Sequence, residues 1–118
     1  MKDLMMDWLA KRAAECEARR AKLAAEGRED ESTFERIRYN VYDLFRTTVG
    51  ALHRAEPDEK AAWRLFERKL EEIPSAWQRS HDLAKQHGDA KKAHIERIKL
   101  EAAADIRRCY EELRRTGA

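Results

Sequence analysis

The sequence has little of what breaks helices or carries metal and redox chemistry: two cysteines, two prolines, four glycines and only seven Val or Ile residues in 118. Two cysteines, Cys16 and Cys109, exclude the disulfide framework of a small secreted domain, and no Cys-x-x-Cys pair is present for zinc or redox work. A reducing cytoplasm is the expected setting. No apolar run approaches the roughly 18 to 20 residues needed to cross a bilayer. Asp3 and Asp7 interrupt the N-terminal apolar cluster of Leu4, Met5, Met6, Trp8 and Leu9, so neither a membrane span nor a signal peptide is expected. With so few Val and Ile residues and no alternation of apolar and polar positions, strands are excluded.

What the chain does have is charge and alanine. Charged residues make up 41% of it, yet 25 basic side chains nearly balance 23 acidic ones. Of the 50 hydrophobic residues 19 are alanine, which leaves a thin supply of large side chains for a core. Leu, Ile, Val and Phe together number 20, a content at which a strong net charge would favour disorder; the net charge is only +2, and periodicity favours a folded chain.

Gly and Pro punctuate four amphipathic segments. The first helix runs from about Lys2 to Glu26 and stops at Gly27, placed for a left-handed cap. Ser32 and Glu35 have the spacing of a capping box, which would open the second helix; its stripe of Phe34, Ile37, Val41, Leu44, Phe45, Thr48, Val49 and Leu52 continues to Ala55, with Gly50 inside it. Pro57 suits the first turn of the third helix. That segment keeps Trp63, Phe66, Leu70, Ile73, Trp77, His81 and Ala84 on one face to about His87, either as one helix kinked at Pro74 or as two. Gly88 ends it, Asp89 can cap the fourth helix, and Ile95, Ile98, Ala102, Ile106, Cys109 and Leu113 carry that helix to about Arg115. Short connections make sequential helices antiparallel. The expected fold is therefore all-α: one domain over residues 1–118, an up-down-up-down four-helix bundle with a proline kink in its third helix.

The chemistry is sparse. Metal-binding bundles use Glu-x-x-His, but the residues three before His53, His81, His87 and His94 are Gly50, Gln78, Ala84 and Lys91. No two histidines are four apart either, so no metal site and no cofactor are expected. His81 lies on the apolar stripe one turn beyond Trp77, where it either hydrogen-bonds a neighbour or serves as a single ligand. His53 and His94 are expected to be solvated. Asp105 borders the buried face of the fourth helix and needs a partner, with Arg12, Arg19 and Arg38 as candidates. No second acid shares its face, so a general acid and base pair cannot be assembled. The cysteines, on inward stripes at different heights, are expected to be free. Basic residues of the fourth helix are interleaved with Glu96, Glu101, Glu111 and Glu112, which argues against a phosphate-binding stripe and so against nucleic acid as a partner.

The segments Asn40-Val41-Tyr42-Asp43-Leu44-Phe45, Glu72-Ile73-Pro74 with Trp77, and His87-Gly88-Asp89 with Lys99-Leu100-Glu101 resemble a family of short all-helical bacterial proteins with no established activity. That resemblance implies a helical bundle and no mechanism.

Two functions follow as expectations. The first is a non-catalytic protein-interaction or scaffold module that associates with itself as a homodimer. Its contact would be the N-terminal turn of Leu4, Met5, Met6 and Trp8, unless that turn seals the chain's own core. The second is a ligand-binding or catalytic bundle with a pocket where Trp63, Trp77, His81 and Asp105 converge.

Overall fold

The computed structural model describes residues 1–117, and among them there are four helices and no strand. α1 spans Lys2–Ala25, α2 Glu29–Ala55, α3 Glu59–Gln86 and α4 Ala90–Arg115. Among the described residues no helix is long and apolar enough to cross a membrane.

Local sequence sets most of the boundaries. Gly27 and Gly88 take φ of +75° and +70°, a region that costs a side chain with a Cβ about 1 kcal/mol or more. Each reverses the chain so that orphan carbonyls at the helix end are satisfied. Arg28 N–H reaches the Leu23 carbonyl at 2.9 Å after α1, and Asp89 N–H reaches the Ala84 carbonyl at 2.8 Å after α3. Asp58 and Asp89 cap α3 and α4 by accepting from the N–H groups of Ala61 and Lys92. Pro57 thus precedes the cap of α3 instead of occupying its first turn.

The start of α2 differs from the expected capping box. The helix begins at Glu29, one turn early, with Glu29, Asp30 and Glu31 placing negative charge at its positive end. Ser32 is therefore inside the helix and buried, where its hydroxyl donates to the Arg20 carbonyl of α1 at 3.0 Å. Glu35, freed from capping, pairs with Arg19 at 3.3 Å and with Arg38.

α3 continues unbroken through Pro74. A proline has no N–H, so the carbonyl four residues earlier, that of Leu70, loses its helical partner. Arg107 of α4 supplies the replacement at 2.7 Å.

α1 packs extensively on α2 and α3 on α4, while α2 and α4 meet across the middle. The core is denser toward one end. Met5, Leu9, Phe45, Val49, Phe66, Leu70 and Ile106 are fully enclosed. Phe66 there is ringed by Phe45, Trp63 and Tyr110 at centroid distances of 6.1, 5.5 and 5.4 Å. Near the Gly88 turn the buried residues of α3 and α4 are Ala84, Ala93 and Glu96, too small or too polar to fill space in the same way.

Candidate functional site

The most elaborate polar cluster is built on Asp105, as the sequence led us to expect of a carboxylate on that face. Arg12 is the arginine that meets it: Nη2 and Nε donate to one carboxylate oxygen at 2.7 and 3.1 Å. The Tyr42 hydroxyl donates to the same oxygen at 2.7 Å, and Arg108 donates to the other at 3.3 Å. Arg19 and Arg38, the other two candidates, turn to Glu35 instead. Residues of α1, α2 and α4 thus converge on one side chain. Trp8 closes the cluster, edge-on to Tyr42 at 5.9 Å, with the Arg12 guanidinium 5.5 Å from its ring centroid.

Electrostatics make this cluster a lock between three helices. Burial pushes the Asp105 carboxyl up, but hydrogen bonds from Tyr42 and Arg12 and the charges of Arg12 and Arg108 outweigh burial and hold it below the usual range. Burial and the bond to Asp105 push the Tyr42 phenol far above its ordinary value. A carboxyl held below its usual range is a weak base, and a phenol pushed far up keeps its proton at neutral pH.

A second cluster of the same kind ties α3 to α4. Tyr110 donates to Glu67 at 2.7 Å, and Arg114 bonds to the same carboxylate. Burial, followed by that bond, raises the Tyr110 phenol as well. Both tyrosines escaped the sequence reading; each lies at the edge of an apolar stripe, the one signal that could have marked them.

The four residues expected to converge on a pocket do not share one. Trp63 is buried against Phe66 and Tyr110, with its Nε1 3.4 Å from Glu59, and borders a cleft of about 320 Å³. Trp77 is half-buried, between Phe45 at 6.5 Å and the Lys99 ammonium at 5.2 Å. His81 sits 3.4 Å from its neighbour Asp82 and lines an open groove of about 670 Å³ between the end of α3 and the start of α4. Asp105 lines a third cleft, of about 410 Å³, whose walls are charged.

The N-terminal turn divides in two. Met5 is enclosed within this chain's own core, which removes it from any contact surface, and Met6 and Trp8 pack half-buried against that core. Leu4 is 53% exposed.

Two histidines depart from the solvated placement expected of them. His53 is half-buried, its Nδ1 donating to the Val49 carbonyl at 2.9 Å and its ring edge-on to Trp63 at 4.6 Å. His94 is likewise edge-on to Phe34, at 4.7 Å. Glu96, one of the acids the sequence interleaves with the basic residues of the fourth helix, is not on a solvated face: it is 6% exposed, with Lys99 3.0 Å away.

Both cysteines are free. Burial raises the Cys16 thiol and pushes that of Cys109 up to about 11, so neither is poised as a thiolate. Among the described residues no group of three or more His, Cys, Asp and Glu side chains could hold a metal ion. No protein-family model, curated protein or solved structure matches the chain.

Proposed function

We propose that the chain is a non-catalytic helical interaction module that associates with itself, built as an up-down-up-down antiparallel bundle with α3 bent at Pro74. The topology is supported by the order of side-chain pairs. Moving up α1, Trp8, Cys16's neighbour Arg19 and the Arg20 carbonyl meet Tyr42, Glu35 and Ser32, in descending order along α2. On α3, Trp63, Leu70 and Trp77 likewise meet Tyr110, Arg107 and Lys99. The bend is supported by the Leu70 carbonyl, which reaches outside its own helix for a donor.

One observation carries the functional reading. The inward polar groups of the Asp105 cluster are spent on one another, whereas large apolar side chains face outward: Leu4, Leu44 and Leu83 are 53, 40 and 54% exposed. In this reading that exposed apolar surface is what a partner covers. A second copy is the partner the reading adopts, and two free thiols suit the reducing cytoplasm in which it places the chain. Light scattering on a size-exclusion column tests it. The mass of a dimer supports the reading; a strict monomer that retains no protein partner removes it.

The groove beside His81 favours a second reading, small-ligand binding. Ala84 and Ala93 form its wall, and Lys85 and Arg97 line it. Of the four residues first expected to frame a pocket, only His81 contributes. Narrowing the groove with Ala93→Leu tests this reading by abolishing any binding found there.

A further inference from the structure

The groove between the end of α3 and the start of α4 has an apolar floor and a positive rim. Ala84 and Ala93, 4 and 6% exposed, leave open a seam that larger side chains would close. The groove follows α3 from Gln78 to the Gly88 turn and α4 from Ala90 to Leu100, about 15 Å along each helix at 1.5 Å per residue. Its volume of about 670 Å³ is that of a small-molecule site. Lys85 on α3 and Arg97 on α4 line it from facing helices, and both are exposed. Among the described residues neither side chain has an ion-pair or hydrogen-bond partner. The other polar side chains of the lining are occupied. Asp89, the one acid among them, accepts the Lys92 N–H as the cap of α4. Gln78 and His81 turn to Asp82, outside the lining, at 3.0 and 3.4 Å. Two cations against one anion leave a single positive charge unmatched.

Floor and rim together specify a ligand. An apolar floor gives nothing to a small hydrated ion, and a positive rim repels a cation, so the groove suits one negative charge on an apolar body. A phosphate monoester carries nearly two charges at neutral pH, more than the lining leaves unmatched. A carboxylate carries one, and its two oxygens match the fork of a guanidinium. We propose that the groove binds a monocarboxylate on an unbranched apolar chain, its head held by Lys85 and Arg97 and its chain laid along Ala84, Ala93 and Leu100. This inference rests on the small-ligand reading above and adds the charge and shape of the ligand.

Octanoate is the probe, and the backbone amide signals of Gly88 and Ala93 in the full chain are the readout. Octylamine keeps the chain and reverses the charge; acetate keeps the head and lacks the chain. The expected result is that octanoate shifts both signals to saturation, whereas octylamine and acetate bind at least about tenfold more weakly. Lys85→Ala combined with Arg97→Ala is expected to weaken octanoate by at least about tenfold. Both side chains are exposed and unpaired, so the helical circular dichroism of that variant is expected to be unchanged. Ala93→Leu, which narrows the groove, is expected to abolish the binding. If octylamine or acetate binds as tightly as octanoate, or the double variant binds octanoate undiminished, the inference is overturned while the groove remains a ligand site. If Ala93→Leu leaves octanoate binding intact, the ligand sits elsewhere and the inference fails. If none of the three probes moves Gly88 or Ala93 to saturation, the inference and the small-ligand reading fall together.

Discussion

Arg107 donates to the carbonyl of Leu70 at 2.7 Å, the group that Pro74 leaves without a helical partner. The proline and the arginine are on different helices and far apart in sequence, yet each accounts for the other. Pro74 opens a vacancy in the hydrogen-bond ladder of α3, and the vacancy is filled by α4, so the packing of these helices is tied to the defect.

Arg107→Ala should cost about 1 to 2 kcal/mol, the expense of leaving a partly buried carbonyl without a donor. Most of that cost should vanish in a chain that also carries Pro74→Ala, because alanine restores the N–H that the Leu70 carbonyl lacks. Urea denaturation of the two single variants and the double variant measures the coupling. Equal costs in both backgrounds would mean that Arg107 acts elsewhere.

Acid should weaken the Asp105 lock. The folded chain holds this carboxyl below its ordinary value, so its contribution is complete above the unfolded pKa of about 3.9 and disappears as pH falls through the lowered folded value. Between pH 7 and pH 3 the native chain should therefore lose more stability than Asp105→Asn does. Tyr42→Phe, which removes one donor, should cost about 1 to 2 kcal/mol at pH 7 and leave a shallower acid dependence. Denaturant midpoints at a series of pH values decide both points.

One substitution should have opposite signs at two glycines. At Gly50, inside α2, a Cβ would lie 3.3 Å from the flexible end of Arg54 and 3.8 Å from Met6 Cε, so Gly50→Ala should stabilise by about 0.5 to 1 kcal/mol. At Gly27 nothing lies within 4 Å of a Cβ, but the backbone is left-handed, and Gly27→Ala should destabilise by about 1 kcal/mol. Thermal melts of the two variants side by side make the comparison.

Ser32 separates two accounts of the start of α2. Were it the helix cap, Ser32→Asp would be neutral, since both residues cap well. Facing the Arg20 carbonyl from a buried position, an aspartate should instead cost about 2 kcal/mol or more. The melting temperature of this variant reports which role the residue has.

Features decided within a few residues were legible in the sequence. Gly27 and Gly88 stop helices because only glycine takes their backbone conformation cheaply, and Asp89 caps because the bond it makes is local; Asp58 makes the same kind of bond, but Pro57 before it fits a helix's first turn equally well and hides the cap. Ser32 and Glu35 show the limit of such signals. Their spacing fits a capping box, but the acidic residues after Gly27 start the helix sooner, and tertiary partners claim both side chains. The site was legible in part, since Asp105 had to find an arginine. That the arginine would be Arg12, joined by Tyr42, depends on how far each helix is rotated, which a stripe wide enough for several neighbours does not specify. The same indeterminacy hid the aromatic surroundings of His53 and His94. It also made Trp63, Trp77, His81 and Asp105 look like one pocket: a shared inward face does not give the height at which two helices meet.

The central claim is that apolar surface beyond the needs of the core joins two copies of the chain. Light scattering across a dilution series measures this most directly. The account predicts twice the chain mass of 13.9 kDa for the native protein at high concentration and a single chain for Leu4→Glu, Leu44→Glu and Leu83→Glu combined under the same conditions. A native protein that weighs one chain at every concentration contradicts it.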